Sequence, residues 1–167
     1  SVTTSAMITP ASLSISAVGV DKVYDGTTSG SVNLTVTGLK GSDQVSGTYT
    51  LATFADANVG SAIPLTVTGL GITTSGSTVL ANYTVNSSAS TTANITRAPL
   101  TVTVANATMV YGDAYPSFTY TTSGWVNATE LANAATLLTG VQSAASATNA
   151  GTYNGDIIAS GGVTRNY

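Results

Sequence analysis

The chain has no cysteine and no histidine, and it carries one glutamate (Glu130) and one tryptophan (Trp125) among 167 residues. Without cysteine no disulfide can hold the fold and thiol chemistry is excluded. Without histidine the commonest general base and metal ligand is missing. Charge is scarce too: Asp, Glu, Lys and Arg together make up 7%, against about 25% in typical globular proteins. Seven acids and four bases, a net charge of −3, cannot build a basic track for phosphates, so a nucleic-acid partner is not expected. No apolar run approaches the 18 or so residues of a spanning helix, and no basic amphipathic face is available to lie on lipid, so membrane insertion is not expected. The first residues, SVTTSAMITP, lack the charged and apolar regions of a signal peptide.

What remains is a chain that is 43% apolar and otherwise dominated by Ser, Thr, Asn and Gly. Leu13 to Ser16, Val32 to Val36, Leu65 to Val67 and Leu100 to Val104 alternate apolar with small polar residues. That alternation places one strand face on a core and the other in water. Asp25-Gly26, Gly41-Ser42-Asp43 and Gly71 supply the turn chemistry between strands. One segment reads differently. Leu131, Ala134, Ala135 and Leu138 fall at helical spacing with Gly140 placed as a stop, which predicts a short helix near 128–139.

An internal repeat organises the chain. I-T-P-A-S-L-S-I-S from Ile8 to Ser16 recurs 87 residues later as I-T-R-A-P-L-T-V-T from Ile95 to Thr103. Val23-Tyr24-Asp25-Gly26 is then matched by Val110-Tyr111-Gly112-Asp113, Asn58-Val59-Gly60 by Asn149-Ala150-Gly151, and Asn82-Tyr83 by Asn166-Tyr167. The fold class expected is mostly β: two tandem small modules, each an immunoglobulin-like sandwich or a β-grasp-like sheet, the second with the helix. Ser1 to Thr9 aligns with Ser88 to Thr96 and is expected to be the end strand of a preceding repeat. The modules are expected at 10–96 and 97–167, the second truncated before its last strand. Pro10 and Pro99 sit at junctions with almost no spacer, which predicts a semi-rigid array.

Val23 to Thr28, V-Y-D-G-T-T, resembles the signature of the YDG repeat of large bacterial exoproteins of the filamentous-haemagglutinin and two-partner-secretion kind. A-P-L-T-V-T at Ala98 to Thr103, followed by V-Y-G-D, P-S-F-T-Y and S-G-W-V-N, resembles the companion MBG repeat of the Y-G-x type. The resemblance implies an extracellular, cell-surface repeat serving as spacer or adhesive surface, with no catalytic residues to carry over.

Candidate sites are few. General acid–base work needs a pair of tuned groups near one another, and none is discernible, so no enzymatic activity and no cofactor are expected. For a metal, the weak candidates are Asp21, Asp25 and Asp113, because calcium favours oxygen ligands; Asp25 and Asp113 read better as turn residues bonding their own backbone. For a ligand, Tyr115, Tyr120 and Trp125 could stack on sugars, against a core role for the same rings. Tyr24 and Tyr111 read as structural plugs within the signature residues Tyr24, Asp25, Gly26, Tyr111, Gly112 and Asp113. Six N-x-S/T triplets, at Asn33, Asn82, Asn86, Asn94, Asn106 and Asn127, follow from composition. The partners expected are adjacent repeats and, for a binding module, a glycan, matrix polysaccharide or host surface protein. A monomer is expected, with strand exchange between truncated chains as an option.

Overall fold

The computed structural model of the chain describes residues 3–74, 76, 78–132, 138–143, 149–153, 157–161 and 165–167. It is built of strands and divides into two compact units: one of residues 1–23 and 27–96, the other of Arg97–Tyr167 together with Tyr24–Gly26.

The first unit contains strands β1 (Ala11–Gly19), β2 (Lys22–Val23), β3 (Val32–Thr37), β4 (Val45–Thr48), β5 (Leu51–Phe54), β6 (Gly60–Thr68), β7 (Gly71–Thr74), β8 (Tyr83–Val85) and β9 (Ser88–Thr96). They form sheets of order β3-β1-β8 and β2-β9-β6-β5, with β4 and β7 paired separately. The alternation read from the sequence sets which side chains turn inward. In β1 Leu13 and Ile15 are buried between exposed serines, and in β6 Ile63, Leu65 and Val67 are buried between exposed neighbours. Phe54, Ile15, Leu65, Ile95 and Val67 are the largest fully buried side chains. Each contributes roughly 1.5–3 kcal/mol by leaving water. They come from β1 on one sheet and β5, β6 and β9 on the other. Layered sheets therefore enclose the core, and the only helical turn described in this unit is the short 3-10 turn Leu80–Asn82.

Two irregularities trim the four-stranded sheet. Between Gly60 and Ile63 the β6–β9 register shifts by one residue, a bulge in which Ala62 takes φ +50°. The Asn94 side-chain oxygen accepts the Ala62 N–H at 2.9 Å and so satisfies the displaced amide. Pro64, next along, accepts the Ala55 N–H at 2.9 Å but has no N–H to return, and β5 stops at Phe54. A third device lies beyond the β1–β8 ladder. Asn86 accepts the Ile15 N–H at 2.8 Å and donates to the Ile15 carbonyl at 3.0 Å, so a side-chain amide replaces one rung of backbone.

The second unit contains β10 (Thr101–Val104), β11 (Tyr120–Ser123), the helix α1 (Ala128–Ala132), β12 (Leu138–Ser143) and β13 (Ile157–Gly161). β10 pairs with β11 and β12 with β13, each antiparallel. The helix is present but shorter than the spacing suggested. Leu138 and Gly140 belong to β12, because the ladder to β13 supplies those residues with backbone partners; Ala134 and Ala135 lie outside the described residues.

The repeat is visible in the backbone. Ser14 faces Thr37 in the β1–β3 pair, and Thr101 faces Ser123 in β10–β11, the same register one repeat on. Each hairpin is followed by a glycine in the left-handed region, Gly38 at φ +99° and Gly124 at φ +102°. A Cβ on Gly38 would lie 2.7 Å from the Ser12 carbonyl oxygen, and one on Gly124 2.4 Å from that of Pro99, its repeat mate. Only glycine fits either place. Likewise Ala11 pairs in parallel with Tyr83, and Ala98 donates its N–H to the Asn166 carbonyl at 2.9 Å.

Substitution at Gly30 should reverse the usual gain from adding a methyl to glycine. A Cβ there would meet Leu65 Cδ1 at 2.6 Å and Phe54 Cε2 at 3.0 Å, so Gly30→Ala is expected to cost about 1–3 kcal/mol by overpacking. Asn86→Ala should cost a similar 1–3 kcal/mol or so by stranding the Ile15 amide and carbonyl. Both are read by urea unfolding against the parent chain.

Candidate functional site

The polar centre of the second unit is built around Glu130. Asn127 accepts the Glu130 N–H at 2.9 Å through its side-chain oxygen, capping the start of α1 and fixing the glutamate in its first turn. The Tyr24 hydroxyl donates to Glu130 Oε1 at 2.6 Å, the Tyr167 hydroxyl donates to Oε2, and Asn166 Nδ2 lies 3.5 Å from Oε1. The Tyr167 oxygen in turn accepts the Val126 N–H at 2.9 Å. Aromatic edges close the cluster: Tyr24 and Tyr167 meet at 5.8 Å between ring centroids, Trp125 and Tyr167 at 4.9 Å, both edge-on.

Partial burial pushes the Glu130 carboxyl up, but the donors Tyr167, Tyr24 and Asn166 outweigh it and hold the group below its usual range. Tyr24 moves the other way. Its bond to the carboxylate, reinforced by burial, pushes the phenol up to about 12. Burial, then the same carboxylate, raises Tyr167. At neutral pH the cluster is an ionised carboxylate with both oxygens occupied by phenols. Its chemistry is that of a clasp, since a general acid must hold a proton and a free path to its substrate.

The first unit carries the same device. Asp43 lies 87 residues before Glu130, the displacement of the repeat. The Tyr83 hydroxyl donates to Asp43 Oδ2 at 2.6 Å and accepts the Lys40 N–H at 3.1 Å. Thr78 donates to Asp43 Oδ1 at 3.4 Å, and the bond to Asp43 raises the Tyr83 phenol. Tyr83–Asp43–Lys40 therefore repeats as Tyr167–Glu130–Val126. The tyrosines stand out in the sequence as repeat landmarks; their carboxylate partners show there only through the 87-residue spacing of Asp43 and Glu130.

The residues singled out from the sequence scatter. Asp21 accepts the Asn94 N–H at 2.7 Å and its Nδ2 at 2.9 Å, and these bonds, the backbone one first, hold its carboxyl below the usual range. It steadies the Asn94 that serves the β6 bulge. Asp25 is exposed beside Gly26 at φ +75°. Asp113 is exposed and its N–H closes a turn onto the Val110 carbonyl at 3.1 Å. Among the described residues no three acids converge as a metal site. The aromatic residues divide as well. Tyr115, 47% exposed, leans on Phe118 at 6.3 Å; Tyr120 is half-buried on β11 opposite Val104; Trp125 is half-buried with Nε1 donating to Thr122 Oγ1 at 2.8 Å. The matched tyrosines differ. Tyr24 is buried at 6% exposure, whereas Tyr111, read as a second plug, stands 74% exposed in the turn with Gly112. A cleft of about 420 Å³ lies along β3 and β4, lined by Leu34, Val36, Val45 and Tyr49 among others.

The two shifts fix the pH dependence. The raised phenol of Tyr24 contributes stability fully present below its unfolded value of about 10 and lost as pH climbs toward about 12. The lowered carboxyl of Glu130 contributes stability present above its usual 4.5 and lost as pH falls through its folded value. In an ultraviolet titration of tyrosinate, one phenol should ionise near about 12 in the parent and return toward about 10 in Glu130→Gln. An unchanged titration in the variant would remove Glu130 as the cause.

Comparison with curated proteins and with solved structures gave no match. Family models match in two consecutive stretches: the YDG domain over residues 9–93 and the MBG domain of the YGX type over residues 100–167. The chain belongs to the YDG domain family and carries, after that domain, an MBG domain of the YGX type.

Proposed function

We propose that this chain is a length of semi-rigid stalk in a large bacterial surface adhesin, acting outside the cell as a spacer that supports attachment to surfaces or within biofilms, and that it performs no catalysis. The observation that carries this reading is the succession of two different repeat domains, each fastened by a tyrosine–carboxylate clasp at matched positions. Stiffness is supported by the junction. Only Arg97, Ala98, Pro99 and Leu100 separate β9 from β10, and proline restricts the backbone there. The charge-poor Ser/Thr/Asn surface suits a passive spacer, since single-signed patches that steer partners cannot be assembled from so few charges.

A second reading, a carbohydrate- or matrix-binding module, is favoured by the exposed Tyr115 ring beside Phe118. Trp125 serves that reading less well, because its N–H is committed to Thr122 and its ring to Tyr167. A glycan array and a pull-down on matrix polysaccharide separate the two. A spacer gives no saturable binding. Saturable binding that disappears in Tyr115→Ala or Trp125→Ala, with the fold intact by circular dichroism, would replace the stalk reading with the binding one.

A further inference from the structure

The V-Y-D-G turn takes one side chain out of water and leaves its neighbours there. Between Asp21 and Ser29 Tyr24 alone is buried, at 6% exposure, while Val23 before it stands 53% exposed and Asp25, Gly26 and Thr27 after it are exposed. The acceptor of its hydroxyl lies 106 residues on: Tyr24 donates to Glu130 Oε1 at 2.6 Å, and its ring meets Tyr167 edge-on at 5.8 Å. Gly26 comes close as well. At φ +75°, a Cβ on it would lie 3.3 Å from Val126 Cγ1 and 3.8 Å from Asn127 Nδ2. Tyr24–Gly26 accordingly belong to the second unit, whereas Val23 and Thr27 belong to the first. By family, however, the turn falls within the YDG match and its seat within the MBG match.

The repeat shows that this burial is not a property of the position. Tyr111, the matched tyrosine, stands 74% exposed after a Val110 that is 70% exposed, and a Cβ on Gly112 would meet nothing within 4 Å. The two carboxylates differ in a complementary way. Asp43 receives Tyr83 on Oδ2 and Thr78 on Oδ1, both from its own unit and its own domain. Glu130 receives Tyr167 on Oε2, but the short bond to Oε1 comes from Tyr24, with Asn166 approaching only to 3.5 Å. One acceptor position of the MBG domain is thus filled by a residue of the YDG signature.

We propose that the second unit holds a recognition seat for a tyrosine–x–glycine turn, formed by Glu130, Val126 and Tyr167, and that the MBG domain reaches its full stability only in a chain whose preceding domain presents that turn. The carboxylate supplies the selectivity. It is half-buried and ionised, so it gains from a donor on each oxygen. A phenylalanine could fill the space of Tyr24 but would leave Oε1 with the long Asn166 contact alone. Glycine two places after the tyrosine is the second requirement, because left-handed backbone and the nearness of Val126 disfavour a side chain there. The Tyr111 turn, with glycine directly after tyrosine, lacks that spacing. The seat makes the YDG signature a determinant of domain order. It concerns the stability of the second unit and does not rest on the stalk reading.

Amide hydrogen exchange of the full chain tests this, because it reads the strands of each unit separately. In Tyr24→Phe, which keeps the ring and removes the hydroxyl, protection at Tyr120–Ser123 and at the Val126 amide should fall by about tenfold, while β6 and β9 exchange as in the parent. In a Glu130→Gln background the same change should lower protection only about threefold, since the bond it removes is no longer charged. Tyr111→Phe should alter neither unit. Unchanged protection in Tyr24→Phe, a loss confined to the first unit or shared equally by both, an equal loss with and without the Glu130 carboxylate, or the same loss from Tyr111→Phe, would each overturn the proposal.

Discussion

A phenol bonded to a carboxylate fastens each unit of this protein, joining segments far apart in the sequence beside an apolar core. In the first unit Tyr83 opens the short strand β8 and reaches Asp43 across the turn after Lys40. In the second, Tyr167 reaches Glu130, and Tyr24 adds a further donor. Two of only seven acidic residues are used in this way. In a chain this poor in charge an ionised carboxylate is a strong local acceptor, and a phenol can satisfy it while presenting an apolar ring to the core. Hydrophobic burial supplies the bulk of the stability; the clasp adds a charged hydrogen bond between segments far apart in the sequence.

Neutral amides do elsewhere what charge does here. Asn86 substitutes for a rung of backbone beside Ile15, and Asn94 binds both Asp21 and the amide of Ala62 in the bulge. Among the described residues no buried side-chain nitrogen or oxygen lacks a hydrogen bond, so the polar composition is accommodated without unpaired groups in the core. Three of the N-x-S/T asparagines, Asn86, Asn94 and Asn127, are therefore structural: their side-chain amides are already engaged within the fold.

Much of this was legible in the sequence. Alternation located β1, β3, β6 and β10 and separated their inner from outer residues, because a half-buried strand imposes a period of two on its side chains. The repeat identified the matching tyrosines and the order of the domains. The helix was legible in kind but not in extent: helical spacing continued through Leu138, where pairing between β12 and β13 prevails, as tertiary context overrides local propensity. Tyr111 departs from the plug role expected of it because its turn carries it into solvent, so matched position does not bring matched burial. The carboxylate partners left only the 87-residue spacing of Asp43 and Glu130 as a trace, and the bridging asparagines left none. Each meets its partners 32 to 106 residues away, and local patterning carries no record of such pairings.

The parallel pairing of Ala11–Leu13 with Tyr83–Val85 has a mechanical consequence. Tension transmitted along the polypeptide draws β1 toward its preceding residues and β8 toward its following ones, so the two slide past each other along a shared axis. Their hydrogen bonds, with the two that Asn86 makes to Ile15, are then loaded together instead of peeling apart in sequence. Resistance to extension at this point grows with the number of bonds sharing the force, and a side chain placed at the end of the ladder raises that number without lengthening the strand.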